Sequence, residues 1–170
     1  MPSINRRLLL LWSAVFGAGA SSAAQAAPKP LGIGDLKKEA EVNVLYHCDF
    51  GDPNRFGQML TNINNHLSVY DFDPFKAKIV IVTHGAGVKY FLTDLAGTPW
   101  EKDTIDPELI ARVAALAKYG VEVYLCEITF KRQKIDLSKI REAAYLRMVG
   151  SGVATVAELQ SKGFAYVKVG

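Results

Sequence analysis

Two hydrophobic periods alternate along this chain. Ile79-Val80-Ile81-Val82 is an uninterrupted β-branched run, the pattern of a strand buried on both faces of a parallel sheet. Val42, Val44 and Leu45 predict a shorter strand ending near His47, and Val121 to Leu125 predicts a third. Between the first two, Phe56, Leu60, Ile63 and Leu67 recur at helical spacing. They predict a helix over Pro53 to Val69, capped by Asp52 and opened by Pro53. Between the second and third strands, Leu109, Ile110, Val113, Leu116 and Ala117 form another apolar stripe. That helix starts at Pro107 behind an Asp106 cap and stops at Gly120. Further on, the pattern predicts a strand at Tyr145 to Val149, a helix over Val153 to Ser161 stopped by Gly163, and a last strand from Phe164 to Val169. Helices alternating with buried strands predict an α/β fold: a mostly parallel sheet with right-handed crossovers.

The opening residues lack this alternation. Arg6 and Arg7, the apolar stretch from Leu8 to Ala20, and Ala24-Gln25-Ala26 form the three parts of a secretory signal peptide over residues 1–26. The apolar stretch is too short to cross a bilayer. The expected protein is therefore soluble, without a membrane anchor once the leader is cleaved, and periplasmic or otherwise exported. Asn5-Arg6-Arg7-Leu8-Leu9 leaves both the general secretory and the twin-arginine routes open. Residues 27–40 carry Pro28, Pro30, Gly32 and Gly34 and read as an extended lead-in, leaving residues 41–170 as a single domain. The net charge of +3 includes two leader arginines, so nothing in the domain's charge argues for nucleic acid or an anionic membrane as a partner.

Ligands of parallel sheets gather beyond the carboxyl ends of the strands. Here those ends are His47-Cys48-Asp49, Thr83-His84-Gly85-Ala86-Gly87 and Cys126-Glu127. Cys126 would sit at the positive end of a helical turn followed by Lys131, Arg132 and Lys134, surroundings that favour a thiolate. Its plain alternative is a small apolar residue closing a buried strand. Cys48 is either a resolving or disulfide partner of Cys126, if the first and third strands are neighbours, or an unpaired thiol. His47, Cys48, His84 and Cys126 also make a nitrogen and sulfur set that zinc or copper accepts, although adjacent strand residues point to opposite sides. Gly85 and Gly87 lack the third glycine of a dinucleotide fingerprint, since Tyr90 stands in its place.

Val123-Tyr124-Leu125-Cys126 with Thr129 and Lys131-Arg132-Gln133, then Gly150 to Gln160 and Gly163 to Lys168, resemble the DsrE/DsrF-like family. Val82 to Val88 fits the same resemblance. It implies a three-layer α/β/α fold of the YchN-like type, with a flavodoxin-like appearance, assembled as a homotrimer or homohexamer. In the sulfur-relay members of that family a cysteine after a central strand accepts sulfur as a persulfide, and Cys126 stands at the matching position. The expected function is an exported sulfur carrier, sulfurtransferase-like at most, exchanging sulfur with donor and acceptor proteins or small thiols. In that role Lys131 and Arg132 would stabilise the anion and His84 would hydrogen-bond it or shuttle a proton, with no cofactor and no metal required. A metal-binding protein using the His/Cys edge is one alternative. Another is a non-catalytic homo-oligomeric binding module, in which Phe72, Phe75, Tyr90, Phe91 and Trp100 cover an interface unless they are ordinary core.

Overall fold

The β-branched run lies at the heart of a sheet. In the computed structural model, which describes residues 27–170, it is the centre of strand β3 (Ala77–Thr83), and Ile79 to Val82 have no exposure to solvent. The signal-peptide reading concerns residues 1–26 and lies outside the described residues. Strands β1 (Pro30–Leu31), β2 (Val42–Cys48), β4 (Glu122–Cys126), β5 (Leu146–Val149) and β6 (Ala165–Val167) complete the sheet in the order β1-β5-β4-β3-β2-β6. Every pairing between neighbouring strands of this sheet is parallel. The order places β3 between β2 and β4.

Helices cover both faces. Helix α1 (Pro53–Val69) has the predicted bounds, because its start is set locally: the Asp52 carboxylate accepts from Arg55 N at 2.7 Å and Pro53 opens the first turn. Helix α2 (Pro107–Ala117) begins the same way, with Asp106 accepting from Glu108 N at 2.8 Å. Arg112 ties the two together by donating to Gly57 O and Thr61 Oγ1. Their apolar stripes bury Phe56, Leu60, Ile63, Leu67, Leu109 and Val113 against Tyr46, Ile79, Ile81 and Val123. Each such side chain contributes about 1.5–3 kcal/mol on burial. Helix α4 (Gly152–Ser161) covers the other face, where Leu159 packs with Leu45, Val80, Val82 and Tyr124. These are the three layers of an α/β/α fold.

Two elements differ from the pattern-based reading. Pro30–Leu31 leaves the lead-in and pairs with Met148 and Val149 as an edge strand. The last strand shrinks to Ala165–Val167, and Phe164 instead fills the α4-side core. Helix α3 (Glu127–Gln133) follows β4 without a break.

Candidate functional site

Parallel strands that end together bring their following residues to one edge, and side-chain alternation then sorts those residues between the two faces. Leu45, Val80, Val82 and Tyr124 lie in the core on the α4 face. Two residues beyond Leu45, Val82 and Tyr124 stand His47, His84 and Cys126, and extended backbone at His84 continues the alternation. These three residues therefore share the α4 face. A Cβ built on Gly152, the first residue of α4, would lie 3.0 Å from the His84 Cβ and 3.2 Å from the Cys126 Cβ, so both side chains crowd that helix start.

Cys126 ends β4 and is the N-cap of α3, with no capping hydrogen bond from its side chain. It is 4% exposed, yet it borders a cavity of about 290 Å³ walled by His84, Thr129, Arg132, Gln133 and Ser151. The residue is thus nearly shut off from bulk water, beside a space large enough for a small reactant. Arg132 reaches the cavity, whereas Lys131 is 70% exposed and pairs with Glu127 at 2.8 Å. Of the two expected cations, Arg132 lines the cavity, while Lys131, four residues after Glu127 on the same helix, pairs with that carboxylate.

The end of β3 and the 3-10 helix that follows it (Gly85–Phe91) are tied down through their first backbone N–H groups. His84 N donates to Cys48 O at 3.2 Å, and Gly85 N donates to Thr129 Oγ1 at 3.0 Å, joining the β3 end to β2 and to α3. Gly85 has a φ of +53°, which glycine adopts without steric cost. At Gly87 a Cβ would collide with the Cys48 carbonyl oxygen and lie 2.9 Å from its sulfur. A left-handed backbone accounts for the first glycine and close backbone approach for the second.

Cys48 occupies the opposite face. It is fully buried in the core with Tyr46 and Phe56, its thiol points to Phe50 O at 3.9 Å, and burial pushes its pKa up. Both cysteines are free. The disulfide or resolving role required β2 and β4 to be neighbours, but β3 lies between them and the two thiols face opposite sides. The four-ligand His/Cys set fails for the same reason.

The histidines do come together. His47 Nε2 and His84 Nε2 are 2.7 Å apart, and His47 Nδ1 lies 3.4 Å from the Tyr166 hydroxyl. Burial lowers the pKa of His47; Asp49 pulls it up, while His84 and Arg55 push it down.

Residues 44–169 match the DsrE/DsrF-like family. The chain belongs to that family. No curated protein matches it. Among solved structures this DsrE/DsrF-like chain is similar to a protein of unknown function, MTH1491, from Methanobacterium thermoautotrophicum. The two are 22% identical, with a TM-score of 0.59 over 75% of this chain and 98% of that one, a likeness in fold. The family match begins inside β2, so β1 lies outside it.

Sequence reasoning about this DsrE/DsrF-like chain passes over Asp49, Thr129, Ser151 and Tyr166 as site residues. Strand alternation puts Asp49 on the side of His47, a usable clue, but the approach of Tyr166 depends on β6 pairing with β2. The aromatic group divides: Tyr90 and Phe91 are buried core, Phe72 and Trp100 pack against it, and Phe75 is exposed.

Proposed function

We propose that this DsrE/DsrF-like protein carries sulfane sulfur as a persulfide on Cys126. The observation that carries the reading is the Cys126 cavity: a free thiol at a strand end, shielded from bulk water, with an arginine and a histidine on the walls. The Cys126 thiolate attacks the outer sulfur of a persulfide or polysulfide donor. A new bond to Sγ forms, the donor's sulfur–sulfur bond breaks, and the donor leaves as a thiolate. An acceptor thiolate then attacks the outer sulfur and releases Cys126 as a thiolate, so the cycle has no net oxidation. Arg132 offsets the negative charge and His84 hydrogen-bonds the sulfur or moves its proton. Donor and acceptor are proteins or small thiols, the protein works after export as its leader pattern implies, and it does so as a homotrimer or homohexamer.

The test is intact-mass measurement after exposure to polysulfide. The expected product gains the mass of one sulfur atom, is reversed by excess thiol, persists in Cys48→Ser and is absent in Cys126→Ser. An adduct that survives Cys126→Ser, or a folded protein that takes up no sulfur, overturns the proposal; the second outcome favours the binding module.

A further inference from the structure

We propose that His47, Asp49 and His84 form a binding site for one divalent transition-metal ion of the zinc class. The site is separate from the sulfur carriage proposed above and shares only His84 with the Cys126 cavity. A ring nitrogen of each histidine and a carboxylate oxygen of Asp49 all lie within 4.8 Å of one another. Two imidazoles and a carboxylate form a set that zinc and its first-row neighbours accept, with a coordination position left for water or a ligand.

The local build orients the His47 ring for ligation. His47 Nδ1 faces the Tyr166 hydroxyl at 3.4 Å, and a proton on Nδ1 donated to that oxygen leaves the Nε2 lone pair aimed at His84. A partner on the second ring nitrogen is the usual support of a ligating histidine. The two Nε2 atoms are 2.7 Å apart. Ligands of a tetrahedral ion, each bound at about 2.0–2.1 Å, lie roughly 3.3 Å from one another, so the pair opens by about 0.6 Å on binding. Asp49 is exposed and its carboxylate makes no hydrogen bond or ion pair among the described residues, which leaves it able to swing onto the ion. The nearby cation, Arg55, is committed elsewhere: its guanidinium lies 3.9 Å over the Phe50 ring and donates to Val169 O at 2.9 Å. Neither thiol belongs to the cluster. Cys48 is on the far face, and Cys126 is beyond the reach that unites the three ligands.

The experiment titrates the chelator-stripped full chain with zinc by calorimetry and with cobalt by absorption spectroscopy. The expected result is one ion per chain, with visible cobalt bands and no thiolate-to-cobalt charge-transfer band. Affinity should fall about 100-fold in His47→Ala and His84→Ala and about 10-fold in Asp49→Asn, and stay unchanged in Cys126→Ser and Cys48→Ser. Circular dichroism of each metal-free variant separates lost ligation from lost fold, and Asp49→Asn at an exposed position guards against misfolding of the histidine variants. Asp49→Asn should still load sulfur on Cys126, which keeps the two proposals distinguishable. Absence of binding, unchanged affinity in Asp49→Asn and His47→Ala, or a charge-transfer band that Cys126→Ser removes would each overturn the site.

Discussion

Buried positions make the chemistry of single residues measurable. Cys48 is held protonated by burial, its folded pKa raised above the ordinary thiol value of 9.0. Its contribution is therefore whole below pH 9.0 and lost as pH rises, because the unfolded thiol ionises first. Stability should fall by about 1.4 kcal/mol per pH unit above that point. Urea denaturation between pH 8 and 10 checks this, and Cys48→Ala should flatten the slope. Buried Tyr90 and Tyr124 are raised likewise and add the same sign above their ordinary 10.0. At Gly87 a methyl group meets the Cys48 carbonyl, so Gly87→Ala should cost about 3 kcal/mol, read as a lower denaturation midpoint. The chain itself marks Cys126, His84 and the two glycines, since each follows a recognisable strand. The contact of His47 with His84 is not readable there, because it depends on which strands are neighbours.

Helices and strands follow their local cues unevenly. The α1 bounds are legible because an Asp-Pro start and an apolar stripe are both local features; Asp52→Ala should cost about 1 kcal/mol in a denaturation series. The two residues of β1 give no such cue. A two-residue edge strand opened by proline has no periodicity to read, and only its pairing with β5 defines it. The start of α4 is legible as a helix but not as a wall of the site. Gly152→Ala should push His84 and Cys126 by a few tenths of an ångström, slowing alkylation of Cys126 severalfold while the far-ultraviolet dichroism stays the same.

At the scale of the molecule, the lead-in is part of the fold. Leu36 is buried with Leu45, Val80 and Phe164, so Leu36→Ala should destabilise the protein by about 2–3 kcal/mol, an effect denaturation will report. The α/β class is legible from the alternation of periods. The strand order is not, because crossovers join strands whose neighbours the chain does not name, and with it went the supposed meeting of the two cysteines. The central strand stands as a partition between those two residues, one sealed beneath α1 and the other beside the cavity at the start of α4. Even an oxidising milieu cannot close a bond across it within one chain. On the sulfur-carriage proposal, an atom accepted by Cys126 is handed to a thiol from outside the chain, because Cys48 lies across the sheet.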